Sequence, residues 1–199
     1  MERFETLDAV AVPLPQANID TDQITPARFL HRPRDDDHGQ YLFHDLRRHP
    51  DGSEVEAFPL NRPEWRHARI VVAGRNFACG SSRENAVWAL HDAGIRACIA
   101  PSFGDIFRSN ALKNGLLPVV LPAEAVADIL AQVTGEPGAC VRVDLETQTV
   151  TAPDGGVHPF EIDPFARRCL LEGLDELAFT LAHEDDIAAF ERRQGRENF

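Results

Sequence analysis

Apolar and polar residues alternate from Phe4 to Pro13, and this period of two predicts an opening strand. Asn18-Ile19-Asp20-Thr21-Asp22 follows as a polar turn, and Pro26 opens a short helix to Leu30. From His31 to about Arg62 apolar periodicity is scarce. Arg34-Asp35-Asp36-Asp37-His38-Gly39 and His49-Pro50-Asp51-Gly52 read as loop signals. A loop of this length is expected to be functional or mobile.

The pattern then becomes regular. Arg69 to Ala73 reads as a buried strand and Gly74 to Gly80 as a turn. Ser81 or Ser82 is expected to cap a helix that runs to about Ala93 and stops at Gly94. Ile95 to Ala100 predicts a second buried strand, Phe103 to Asn114 a helix ended by Gly115, and Leu117 to Leu121 a third strand. Pro122 opens a helix to about Val133. Strands joined by helical crossovers imply parallel pairing.

After Gly138 the pattern changes. Cys140 to Leu145 and Thr147 to Ala152 alternate like a hairpin, and Val157 to Ile162 adds a strand. Asp163-Pro164 starts a helix through Glu172 that Gly173 closes, and short helices fill the acidic end. The fold class is α/β: a β/β/α sandwich with a mixed, partly parallel central sheet and flanking helices. The 199 residues suit one domain. Within it, residues 31–62 form a long, partly mobile loop region and residues 175–199 a helical C-terminal extension.

Composition narrows the function classes. A net charge of −12 disfavours nucleic acid as a partner, because affinity for a phosphate backbone comes from Lys and Arg displacing counterions. The longest apolar runs, such as Leu116 to Leu121, are too short to span a bilayer. Met1 to Glu5 has no basic start leading into an apolar stretch, so a cytoplasmic protein is expected. The four cysteines, Cys79, Cys98, Cys140 and Cys169, include no Cys-x-x-Cys spacing and no zinc-like pairing with a histidine. Three of them are expected to be buried in strands or helices. An iron–sulfur cluster needs several cysteines together, so no metal or cofactor is expected on this chain.

The segment that carries chemistry is Gly74-Arg75-Asn76-Phe77-Ala78-Cys79-Gly80-Ser81-Ser82-Arg83-Glu84-Asn85-Ala86. Two serines and an arginine stand where a strand ends and a helix begins. Unpaired backbone N–H groups and the positive end of the helix dipole favour an anion there, such as a substrate carboxylate. They also lower the cost of forming a serine alkoxide. A plain capped helix remains open as a second reading: Ser82 with Asn85 is close to a capping box, and Glu84 suits the dipole. Cys79 as nucleophile is a third reading, since helix N-termini acidify thiols, but no histidine lies nearby in sequence.

Gly80-Ser81-Ser82-Arg83-Glu84 after a strand resembles the swivel domain of the aconitase superfamily. The resemblance to isopropylmalate dehydratase small subunits covers nearly the whole chain. It is carried by Asn18 to Pro26 with Arg28-Phe29-Leu30, by Ile99 to Phe103 with Asp105-Ile106-Phe107, and by Asn114 to Val119. Asp163-Pro164-Phe165 and Gly173-Leu174-Asp175 complete it. The resemblance implies a hydro-lyase of leucine biosynthesis that interconverts 2- and 3-isopropylmalate by dehydration and rehydration. It also implies activity only with a large subunit, as heterodimer or heterotetramer, and a [4Fe-4S] cluster on that partner. By the same resemblance Ser81 is the alkoxide base, Ser82 and Arg83 hold substrate carboxylate, Arg34 reads the substrate from its loop, and Asp22 supports the group. For Asp22 an ordinary turn residue is the alternative.

Departures from the family pattern keep further readings open. Asn85 stands where the family has His and Val87 where it has Pro, and residues 31–39 replace an Arg-Thr-Gly type loop. One further reading keeps the chemistry but acts on methylmalate or citraconate, maleate or homoaconitate. Another is a non-catalytic module that binds a partner.

Overall fold

Strand β1 (Thr6–Leu14) joins two differently paired halves of one sheet. Its first part, Thr6 to Val10, pairs antiparallel with β5 (Cys140–Asp144), and its last part, Ala11 to Leu14, runs parallel to β2 (Ile70–Ala73). The burial of β1 follows this division: it alternates over the first half and is continuous over the last four residues. A half-solvated antiparallel strand needs one apolar face, whereas a parallel strand covered on both faces needs two.

Beyond β2 the parallel half continues with β3 (Ala97–Ala100) and β4 (Leu117–Val120). Beyond β5 lie β6 (Thr149–Thr151) and β7 (Val157–Pro159), giving the order β4-β3-β2-β1-β5-β6-β7. The structure is a computed structural model that describes residues 1–34 and 37–193. Asp35 and Asp36 of the acidic run, and positions 194–199 of the expected C-terminal extension, lie outside the described residues.

Helices α1 (Thr21–Ile24) and α2 (His44–Arg47) are single turns in the connection from β1 to β2. Helices α3 (Glu84–Asp92) and α4 (Asp105–Lys113) cross between parallel strands and cover one face of the sheet. Leu90 and Phe107 pack there against Val12, Val71 and Cys98. Helix α5 (Ala123–Gly135) covers the other face, where Val126, Ile129 and Val133 meet Ile70, Val72, Ile99 and Val141. Helix α6 (Pro164–Glu172) adds Leu170 to that second core. Its Asp163 cap and its left-handed Gly173 stop are where the sequence expected them. Helices α7 (Glu176–Leu181) and α8 (Glu184–Arg193) follow.

One expectation needs correction, and the region of residues 31–62 contributes more to the core than its scarce periodicity suggests. Tyr41, Leu42, Phe43 and Leu60 are buried, and Phe43 is fully enclosed in the core over α3. Short 3₁₀ turns at His38–Tyr41 and Pro59–Asn61 place these side chains, which leaves no repeating period to read. Of the three cysteines expected in buried elements, Cys98 and Cys169 are buried but Cys140 is exposed. It lies on the outward face of β5, whose burial alternates.

Candidate active site

The loops that leave β1, β2 and β3 emerge together at the carboxyl ends of three neighbouring parallel strands, the usual place for a site in such sheets. The loop after β2, residues 74–83, lies between the other two. On one side Cys79 pairs with Asp20: its N–H donates to the Ile19 carbonyl at 3.2 Å, and the Thr21 N–H donates to the Cys79 carbonyl at 2.9 Å. On the other side the Phe77 N–H donates to the Ser102 carbonyl at 3.0 Å, and the Gly104 N–H donates to the Phe77 carbonyl at 3.0 Å.

Backbone conformations along this loop are unusual. Asn76 (φ 59°), Ala78 (φ 56°) and Gly80 (φ 98°) are all left-handed. Asparagine tolerates that region through local hydrogen bonds, and here its Nδ2 donates to Asn18 Oδ1 at 2.9 Å. Alanine has no such help, so Ala78 is held by its surroundings. Gly80 is favoured by its φ alone, since a Cβ there would meet its neighbours only in ordinary contact, 3.5 Å from Thr21 Oγ1.

This loop delivers the serines to the start of α3, but not as caps. The residue at the N-cap is Arg83, with no side-chain cap hydrogen bond. The Ser81 carbonyl accepts the Arg83 N–H at 2.8 Å, a tight turn that delays the helix and leaves both serines exposed ahead of it. The expectation that Ser81 or Ser82 caps the helix is thus corrected, and the plain-cap reading loses its geometric support. Thr21, which sequence reasoning missed, is buried beside Ser81. Its Oγ1 donates to the Ser81 carbonyl at 3.2 Å and lies 3.5 Å from Ser81 Oγ.

Asp22 stands on the first turn of α1, and its Oδ1 accepts from Arg83 Nη1. The same oxygen accepts the Ala27 N–H at 2.8 Å. The Arg83 hydrogen bond holds the Asp22 carboxyl below the usual carboxylate range. Ser81, Arg83 and Asp22 are therefore gathered at one end of α3, with Ser82 between the first two. Arg34 is not with them. It makes a two-pronged contact to Asp92 at 2.9 and 3.1 Å, at the last residue of α3, and lies over the Trp88 ring. About eight residues of helix, or roughly 12 Å, separate the two ends.

Among the described residues no group of three or more His, Cys, Asp or Glu is placed to hold a metal ion. The four cysteines sit in separate elements, and burial pushes the Cys98 thiol upward, away from thiolate. These residues do not fit a cluster. No helix among them is long and apolar enough to cross a membrane. What the site offers is a hydroxyl, an arginine and a helix N-terminus around one exposed position.

Comparison with known proteins shows the family. The Aconitase C-terminal domain family matches residues 1–124, and LeuD_N matches residues 127–164. A 3-isopropylmalate dehydratase small subunit of Paramagnetospirillum magneticum is 53% identical, over 96% of this chain and 95% of its own length. The protein of that name from Anaeromyxobacter dehalogenans is 56% identical, over 96% of this chain and 98% of its own. The crystal structure of a 3-isopropylmalate dehydratase from Methanocaldococcus jannaschii superposes with a TM-score of 0.67 at 25% identity, covering 94% of this chain and 99% of that one. With its strand order, its serine-bearing loop and relatives matched over nearly their whole length, this chain belongs to the aconitase C-terminal-domain family, among the 3-isopropylmalate dehydratase small subunits.

Proposed function

We propose that this chain is the small subunit of a hydro-lyase that interconverts 2- and 3-isopropylmalate in leucine biosynthesis, in the cytoplasm, with a large subunit completing the active site. The observation that carries the residue roles is the meeting of Ser81, Arg83 and Asp22 at the uncapped start of α3. The large subunit's [4Fe-4S] cluster supplies a Lewis acid for the substrate hydroxyl.

This chain supplies the other half of the reaction. Ser81, as alkoxide, takes the proton from the carbon beside a substrate carboxylate. The C–H electron pair forms the C=C bond as the C–O bond of the adjacent carbon breaks, and the hydroxyl leaves with that bond's pair as hydroxide, giving the unsaturated diacid. Rehydration in the opposite sense returns the proton through the same serine. Negative charge builds on the carboxylate as the proton leaves. Arg83, Ser82 and the N–H groups of the first turn of α3 are preorganised to receive it. Asp22 holds Arg83 in place. Arg34 reaches the substrate's far end only after releasing Asp92.

The test is reconstitution. Purified chain and large subunit are mixed, and formation of the unsaturated acid is followed by its ultraviolet absorbance. Ser81→Ala should form the same complex and lose roughly 10³-fold or more in kcat. Near-normal turnover would remove Ser81 as the base.

A further inference from the structure

The Asp22 oxygen that holds Arg83 is anchored from behind. It accepts the Ala27 N–H, the first residue of the turn Ala27–Phe29, and the next residue, Arg28, is clamped. Arg28 Nη1 donates to Asp45 Oδ2 at 2.7 Å, and Nη2 donates to Oδ1. His44 Nδ1 lies 3.1 Å from both Arg28 Nη2 and Asp45 Oδ1. The Arg28 guanidinium also covers the Phe29 ring at 4.6 Å, and Phe29 stacks on Tyr41 with ring centres 4.4 Å apart.

The other jaw of this clamp is anchored in the core. Phe43 is buried and left-handed (φ 49°), and its N–H donates to the Ile24 carbonyl at 2.7 Å, at the end of α1. Residues 41–45 and the turn 27–29 therefore grip each other directly, and each is tied to α1: Phe43 through the Ile24 carbonyl and Ala27 through Asp22. Charges alternate along Arg83, Asp22, Arg28 and Asp45. The Arg28 contact draws the Asp45 carboxyl down to about 2, so the pair stays charged at working pH.

We propose that Arg28 and Asp45 are positioning residues for Arg83, acting through the turn that anchors Asp22. This rests on the reading that Arg83 holds the substrate carboxylate. Neither residue needs to touch substrate. Loss of the clamp frees the 27–29 turn, displaces the Ala27 N–H and lets the Asp22 carboxylate rotate. The pair is about half exposed (52% and 53%), so its loss costs the fold little while misaligning Arg83.

The experiment uses the complex with the large subunit. Asp45→Asn and Arg28→Lys should each lower kcat/KM by about 10- to 100-fold, as small misplacements of binding groups do, with Tm within a few degrees of the parent. A double-mutant cycle supplies the decisive readout. Adding Asp45→Asn to Arg83→Lys should produce little further loss, because the clamp acts by positioning the guanidinium that Arg83→Lys has already removed. Unchanged kcat/KM in Asp45→Asn, or losses that multiply in the double variant, would overturn the proposal. If Asp45→Asn fails to fold, Arg28→Lys is read by the same criteria. A damaging Arg83→Lys beside a harmless Asp45→Asn sinks the clamp alone. A harmless Arg83→Lys sinks the assignment of Arg83 and the clamp with it.

Discussion

Arg83 and Asp22 stand 61 positions apart and meet through one guanidinium nitrogen and one carboxylate oxygen. Arg83 is the more enclosed, 21% exposed against 57% for Asp22, so its orientation is set by the partner and by the first turn of α3. A lysine reaching the same place brings charge without the planar fork. Arg83→Lys should therefore lower kcat/KM roughly 10²-fold in the assembled enzyme while leaving thermal unfolding almost unchanged. Steady-state kinetics on the complex decide it, and parent-like values would take Arg83 out of the site.

Gly104 tests the loop's rigidity. A Cβ there would stand 2.5 Å from the Ala78 carbonyl oxygen, in the backbone of the loop that carries Ser81. Backbone cannot yield as a side-chain tip can. Gly104→Ala should cost about 1–3 kcal/mol, seen as a drop of several degrees in Tm, and should lower kcat as the loop shifts. Stability and kcat both unchanged would mean that the loop adjusts freely.

The acid behaviour of Asp45 has a definite sign. Its folded carboxyl is depressed to about 2 by Arg28, so the pair stabilises the fold above the ordinary carboxylate range and stops doing so as pH falls through about 2. Because the pair is half exposed, its contribution is only about 0.5–1 kcal/mol. Urea unfolding of parent and Asp45→Asn should differ by that amount at neutral pH and at about pH 4, and converge toward about pH 2. A difference that had already vanished at about pH 5 would contradict the pairing.

Thiol reactivity should sort the cysteines by place. Cys140 is exposed on β5, while Cys98 is fully buried in β3 and its thiol is pushed upward by burial. A disulfide reagent should modify Cys140 in the native chain within minutes and reach Cys98 only after denaturation. Mass spectrometry of the labelled peptides reads the order, and rapid native labelling of Cys98 would refute its burial.

Much of this protein is legible in local order. The alternation of β1, the apolar runs of β2, β3 and β4, and the Asp163-to-Gly173 frame of α6 are written in neighbouring residues, because strand pleat, helix period and caps act over a few positions. The Gly80-Ser81-Ser82-Arg83 run could be placed after a strand and before a helix on the same grounds.

Other features belong to the assembled fold. Thr21 beside Ser81, the Phe77 and Cys79 bridges that fix the loop, and the Arg28–Asp45 clamp join residues brought together where parallel strands end. No local period encodes such meetings. The serines look like caps from their neighbours alone, yet the contacts to Thr21 and Ser102 pull the loop into a tight turn and move the helix start to Glu84. Arg34 is a candidate site residue from the linear order, and only the fold shows that Asp92, 58 positions away, holds it at the far end of α3, so that it must be released to reach a substrate. Chain neighbours set which elements form. Where their side chains meet depends on how the sheet brings distant loops together, and that is a property of packing rather than of order along the chain.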